Sequence, residues 1–280
     1  MKNLLVLTDF TANASHAETA ALRISGQLGY NIILYHTLPY VPLIPNDNGG
    51  PYVAETASIL FEDSKERLIQ EADKLREVAV IRDCYVNIDE KNGDGTLGDV
   101  IADLTDDSDI EMVVMGGRSG GTLDHLLRGS DTAAVIRKSR KPVLIIPMTA
   151  NLSDISKVVF ATDFGTTDIP AVGFLQDLSS RMGLELDIVH VIPPGEVVTE
   201  IGPEVAFRKY LAHHKLNYNQ VKAADVHQGL QHYCGEKGAA LLAMTHGQHS
   251  FISRLFGHSE SEAVISDQRL AVLIFPPDFK

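Results

Sequence analysis

Short apolar runs alternate with amphipathic stretches along the whole chain. NLLVLT (3–8), IEMVVM (110–115), PVLIIP (142–147) and LAVLIFP (270–276) are strand-sized and apolar at consecutive positions, as strands buried on both faces must be. Between the first strand and the next, Ala17, Ala21, Ile24 and Leu28 fall on one face of a helix. Each half of the chain reads strand, helix, strand, longer helical segment, strand, helix, strand, helix, strand. A parallel crossover needs about a dozen residues, so this alternation predicts α/β architecture with helices on both faces of parallel sheets. Two doubly wound units are expected, 1–149 and 150–280, with MTANLSDIS (148–156) as a short polar joint.

The two units are predicted because the sequence repeats itself. At an offset of 154, Thr8, Asp9 and Phe10 meet Thr162, Asp163 and Phe164, and His36 meets His190. Ala17, Ala21, Ile24 and Leu28 meet Ala171, Leu175, Leu178 and Met182, so both halves bury the same helix face. Later, MVVMGGRSGGTLDHLLRGS resembles LLAMTHGQHSFISRLFGHS, and setting Gly129 on Gly257 gives an offset of 128. The second half is therefore 26 residues shorter, all between His190 and Met244. The matching span of the first half holds PYVPLIPNDNGGPYV (39–53), whose proline, glycine and asparagine predict an extended loop.

Composition narrows the chemistry. With 44% hydrophobic and 22% charged residues the chain should fold throughout, and its net charge of −13 repels nucleic acids and anionic membrane surfaces. The apolar runs fall short of the roughly 20 residues that span a bilayer, and Asp9 interrupts the first where a signal peptide would continue, so a cytoplasmic protein is expected. Cys84 and Cys234, the only cysteines, suggest inert thiols.

In open parallel sheets ligands settle beyond the carboxyl ends of the strands, where Asp9 and Gly116 both fall. A helix beginning at Ser130 would offer unpaired N–H groups to an anion, and Gly129 would let a phosphate approach. Asp9 would accept from ribose hydroxyls or an adenine amine. A strand ending in TDF, with Gly-x-x-Gly, nine residues and Gly-Ser after the fourth strand, resembles the universal stress protein family. The resemblance covers both halves and is to a tandem member. It implies five-stranded sheets in the order 3-2-1-4-5, of the adenine nucleotide alpha hydrolase-like type, binding ATP or AMP, with magnesium in the case of ATP. It also implies that the final strand pairs with another across a two-fold axis, here as an intramolecular pseudo-dimer, with a homodimer left open. The implied nucleotide-binding residues are Thr8, Asp9, Thr37, Met115, Gly116, Ser119, Gly129, Ser130 and Asp131. Ser119 stands where the second glycine is expected, and Asp131 brings a negative charge close to the phosphate turn. A second site would use Asp163, Gly247, Gly257 and His258, with Met244 in the first glycine position and His258 in place of serine. This degenerate pattern directs the nucleotide chiefly to the first half.

Other motifs are weaker. GDGTLG (93–98) matches a dinucleotide fingerprint but follows a third strand between Asp94 and Asp99, which favours plain turn chemistry. SGGTLD (119–124) approaches an ATP-pyrophosphatase loop with its aspartate one place late. His246 and His249 lack further ligands for a metal, and RKSRK (137–141) suits a helix end. His36 and His190 are expected to be hydrogen-bonded structural residues. No catalytic residue is assigned, and slow ATP hydrolysis stays open. The expectation is a stress-response protein that binds an adenine nucleotide as a regulatory or sensing module. The alternative is a nucleotide-free interaction scaffold, and a remoter one is an adenylyl-transfer enzyme.

Overall fold

The computed structural model of the protein describes residues 1–38, 52–117, 130–152, 155–195, 202–246 and 270–280, with the backbone alone at 52–57 and 130. The first half runs β1 (Asn3–Leu7), α1 (Ala12–Leu28), β2 (Asn31–Leu38), α2 (Tyr52–Ile81), β3 (Ile88–Asp94), α3 (Leu97–Leu104), β4 (Ile110–Gly117), α4 (Ser130–Lys138) and β5 (Val143–Pro147). The second runs β6 (Lys157–Ala161), α5 (Asp168–Met182), β7 (Glu185–Ile192), α6 (Pro203–His213), β8 (Asn217–Lys222), α7 (Val226–Lys237), β9 (Leu241–Thr245) and β10 (Ala271–Phe275).

All ten strands join one sheet in the order β3-β2-β1-β4-β5-β10-β9-β6-β7-β8. The order 3-2-1-4-5 thus occurs twice, as expected, and every pairing is parallel except one. That one is β5 against β10, where Val143, Leu144 and Ile145 face Ile274, Leu273 and Val272 in antiparallel register. Both strands are buried along their whole length. Their apolar edges satisfy each other within the chain, where a bare apolar edge would recruit foreign strands. The outer strands β3 and β8, IDEKNGD and NYNQVK, are charged or polar at most positions.

Alternate side chains of the strands feed two cores. On one face Leu4, Val6, Phe160 and Leu273 pack with α1, α2, α5 and α6. On the other Leu5, Ile145, Val159 and Ile274 pack with α3, α4 and α7. Helices α1 and α5 end alike, at Gly29 (φ 66°) and Gly183 (φ 68°), a left-handed cap that glycine adopts without a Cβ clash. They also meet across the seam, where the Arg181 guanidinium lies 4.8 Å from the Tyr30 ring and donates to its hydroxyl at 2.7 Å.

Two expectations change. The joint between the halves is less polar and less free than its sequence suggests, since Ala150 and Leu152 are buried and Ala150 O bonds His16 Nε2 at 2.8 Å. The shortening of the second half falls largely on helix: α2 has 30 residues and α6 only 11. Tyr52 and Val53, read as loop, begin α2, and residues 39–51 lie outside those described.

Candidate functional site

Each half turns the same corner after its first strand. Phe10 and Phe164 take left-handed backbone, with φ 62° and 65°, which a bulky side chain holds only when its surroundings enforce it. The enforcement is visible twice. The Phe10 N–H donates to Thr8 Oγ1 at 3.1 Å and the Phe164 N–H to Thr162 Oγ1 at 3.0 Å. His36 Nδ1 and His190 Nδ1 lie 2.7 and 2.8 Å from the carbonyls of Thr8 and Thr162, so each Nδ1 carries its proton. The Phe and His rings pack at 4.4 and 4.5 Å, tilted by 41° and 39°. The repeated Thr-Asp-Phe and its distant histidine are thus one structural unit, and the histidines are hydrogen-bonded structural residues.

This corner aims Asp9 outward. Its Oδ1 accepts from the Thr11 N–H at 3.0 Å and the Thr11 hydroxyl at 2.5 Å, while Thr11 in turn caps α1 by accepting from the Ala14 N–H. The carboxylate is fixed at the mouth of a cavity of about 460 Å³ beyond the carboxyl ends of β1 and β4, within the range of small-molecule sites. Thr8, Asp9, Thr37, Met115, Gly116 and Asp131 all line it, brought from β1, β2, β4 and α4 to one place. Ser130 opens α4, and Asp131 and Thr132 of its first turn face the cavity. Ser119 and Gly129 lie outside the described residues, as do Gly247, Gly257 and His258.

Gly116 is required by a contact inside the protein. A Cβ there would stand 2.6 Å from Asn13 O and 3.0 Å from Ala14 N, so the end of β4 can rest on the first turn of α1 only without a side chain. Sheet register corrects the alignment of the second half at this point. Leu7 pairs with Met115, and its counterpart Ala161 pairs with Met244, so Met244 matches Met115, and Thr245 takes the place of Gly116. The correct offset here is 129. GDGTLG follows the strand into a turn and helix start: Gly93 and Asp94 end β3, Gly95 has φ 115°, and Thr96 caps α3 by accepting from Asp99 N–H. Gly95, Thr96 and Leu97, read from sequence as turn chemistry alone, nevertheless line the cavity, as do Asn13 and Thr132, which sequence reasoning did not single out. Among the described residues no group of three or more His, Cys, Asp and Glu side chains is placed to hold a metal.

Behind the cavity wall sits a carboxyl that sequence reasoning also missed. Glu18, on the buried side of α1 and 2% exposed, lies beside Thr8 and Glu71 of α2, and its Oε1 is buried without a hydrogen-bond partner. Burial pushes Glu18 up to about 7, helped by the Glu71 charge and opposed by Thr8. Burial also works to raise Glu71. The Ser15 hydroxyl at 2.7 Å and the Lys74 ammonium at 2.9 Å outweigh it and hold Glu71 below the ordinary carboxylate value. The counterpart of Glu18 in the repeat is Val172, fully buried.

Fold and cavity together define a two-unit, doubly wound α/β protein with its crevice where strand order reverses. The profile of the universal stress protein family matches residues 1–147, and the chain belongs to that family. The same architecture is seen in a universal stress protein from Archaeoglobus fulgidus DSM 4304, with TM-score 0.70, 18% identity and 98% of each chain covered. It recurs in a functionally unknown protein from Pseudomonas aeruginosa PAO1, with TM-score 0.56, 14% identity, and 99% of this chain and 93% of that one covered. Identities this low speak for the fold. No curated protein sequence matches the chain.

Proposed function

We propose that the first unit, residues 1–149, binds one adenine nucleotide, ATP or AMP, and that the protein serves as a cytoplasmic regulatory or sensing module in stress response, with residues 150–280 a second unit of degenerate motif. The observation that carries this reading is the convergence of Thr8, Asp9, Thr37, Met115, Gly116 and Asp131 on a single cavity at the strand ends. Asp9 is held as an acceptor for ribose hydroxyls or an adenine amine. The N–H groups of the first turn of α4, whose Asp131 and Thr132 line the cavity, suit a phosphate. Asp131 in that turn opposes a bare polyphosphate, which magnesium would offset when the ligand is ATP. Net charge argues against nucleic acid as partner, and among the described residues no helix is long and apolar enough to cross a membrane.

Equilibrium dialysis with ATP and with AMP tests the reading. The expected result is about one equivalent per chain, since the pattern of the first unit lines a cavity and that of the second is degenerate. Asp9→Ala and Gly116→Val should each weaken binding about tenfold or more, roughly 1.4 kcal/mol. Asp163→Ala should leave it unchanged. If the wild-type protein binds neither nucleotide and releases none on denaturation, the reading is overturned in favour of an interaction scaffold.

A further inference from the structure

The second unit answers the crevice of the first with a side chain of its own. Where α1 has Ala14 lining the cavity, the repeat places Asp168 at the first residue of α5. Its carboxyl is fully buried and takes three hydrogen bonds. The Thr162 hydroxyl donates at 2.5 Å, the Gly165 N–H at 3.1 Å and the Thr245 hydroxyl at 3.0 Å. These donors come from the end of β6, from the corner after it and from the end of β9. The matching segments of the first unit are the end of β1, the corner through Asp9 and Thr11, and the end of β4, all of which line its cavity.

The exchange of Gly116 for Thr245 explains the rearrangement. In the first unit the backbone at Gly116 touches the turn at Asn13 and Ala14, and a Cβ would collide with it. Thr245 has that Cβ. Correspondingly, α5 begins at Asp168, two residues later in the repeat than α1 at Ala12, and its cap Thr167 makes no side-chain bond to the helix. Thr167 bonds Pro277 O instead, at 2.7 Å. The withdrawn turn leaves room for the aspartate to bend inward, and Thr245 supplies one of its donors.

We propose that Asp168 and Thr245 are the resident plug of the second crevice: the carboxyl fastens the three segments that line the nucleotide cavity in the first unit, and the second unit takes no nucleotide because the space is filled from within. The chemistry agrees with a crevice that water does not reach. Desolvation pushes Asp168 up to about 6, against the opposing effect of its hydrogen bonds from Thr162, Thr245 and Gly165, and the neighbouring Asp163 charge adds to the rise. The charge that raises Asp168 is the Asp163 carboxylate, and a second negative charge at this place disfavours a phosphate.

The part of this inference that concerns nucleotide rests on the function proposed above, so two measurements separate them. The first needs no ligand. Asp168→Asn, Thr245→Val and the double variant form a stability cycle, read by urea unfolding. The plug predicts that the combined effect on the unfolding constant departs from the product of the single effects by about threefold or more, as for directly bonded groups. Independent effects would overturn it. Both substitutions keep side-chain volume, so the cycle survives where Asp168→Ala fails to fold. The second measurement is dialysis against ATP and AMP. Asp168→Ala with Thr245→Gly copies the first unit into the second and should raise the nucleotide bound per chain above the wild-type value. Ala14→Asp with Gly116→Thr copies the second into the first and should abolish binding. Wild-type protein that binds two equivalents, or an Ala14→Asp, Gly116→Thr variant that binds as wild type does, overturns the plug. Wild-type protein that binds none overturns the nucleotide reading alone, and the stability cycle then decides the plug.

Discussion

Replacing Glu18 with glutamine should make the protein more tolerant of alkaline pH. In the folded chain the Glu18 carboxyl is raised from 4.5 to about 7, mainly by burial, while in the unfolded chain it returns to the ordinary value. The folded state then holds a proton that the unfolded state gives up. Its contribution is fully present below about pH 4.5 and is lost as pH rises through about 7. At about 1.4 kcal/mol per pH unit across that window, wild-type protein should lose roughly 3 kcal/mol, a large share of the 5–15 kcal/mol that typically holds a domain together. Glutamine keeps the shape without a proton to lose, so Glu18→Gln should hold its stability across the same range. Glu71 acts in the opposite sense and in a lower window, because its pKa is lowered and its contribution disappears as pH falls below the ordinary carboxylate range. The two effects are therefore separable by pH. The chain has no tryptophan, so urea unfolding is best followed by far-ultraviolet circular dichroism at a series of pH values between about 5 and 8. Parallel stability profiles for wild type and Glu18→Gln would refute the reasoning.

Ile145→Lys sets an ammonium in a fully buried position opposite Val272 at the β5–β10 seam, and burial of an unpaired charge costs several kcal/mol. The halves should part while each keeps its own sheet, giving a more elongated particle by X-ray scattering with little change in circular dichroism; an unchanged particle of unchanged stability would count against the seam. Cys234 is buried, and burial pushes its thiol up to about 12, so iodoacetamide near pH 8 should leave it unmodified until the protein unfolds. Labelling of native Cys234 at the rate of a free thiol would contradict that placement.

The architecture was legible because its signals are periodic and local. Apolar runs such as PVLIIP and LAVLIFP announce strands buried on both faces, and the recurrence of Thr-Asp-Phe with a histidine ties the two halves together in the sequence itself. The same local signals put Asp9, Gly116 and Asp131 at strand and helix ends, and the fold gathers them around one cavity. What escaped depends on partners far away in sequence. Glu18 lies one residue after Ala17 on a buried helix face, and a carboxyl there makes sense only with Thr8 and Glu71 in view; the one available signal was Val172 at its place in the repeat. Asp168 was similarly marked by its mismatch with Ala14, yet its role needed Thr162 and Thr245. The alignment of β4 with β9 slipped by one residue because it was anchored on Gly129 and Gly257, in loop sequence without periodicity, whereas hydrogen-bonded register fixes Met115 against Met244. The loop read over 39–53 overlaps the start of α2 because Tyr52 and Val53 follow a glycine- and proline-rich stretch whose turn signal masks the helix start.

The antiparallel meeting of β5 and β10 also decides what the two crevices can do together. Every strand of the first half points one way along the sheet and every strand of the second points the other. The carboxyl ends that frame Asp9 therefore open at one rim of the sheet, and those that frame Asp163 open at the opposite rim. No single small molecule can bridge them, and a macromolecule that grips one rim leaves the other free. The chain is in this sense bipolar, with a ligand-sized cavity at one pole and the closed contacts of Asp168 at the other. Three buried residue pairs, Val143 with Ile274, Leu144 with Leu273 and Ile145 with Val272, and the helices α1 and α5, joined through Arg181 and Tyr30, connect the poles.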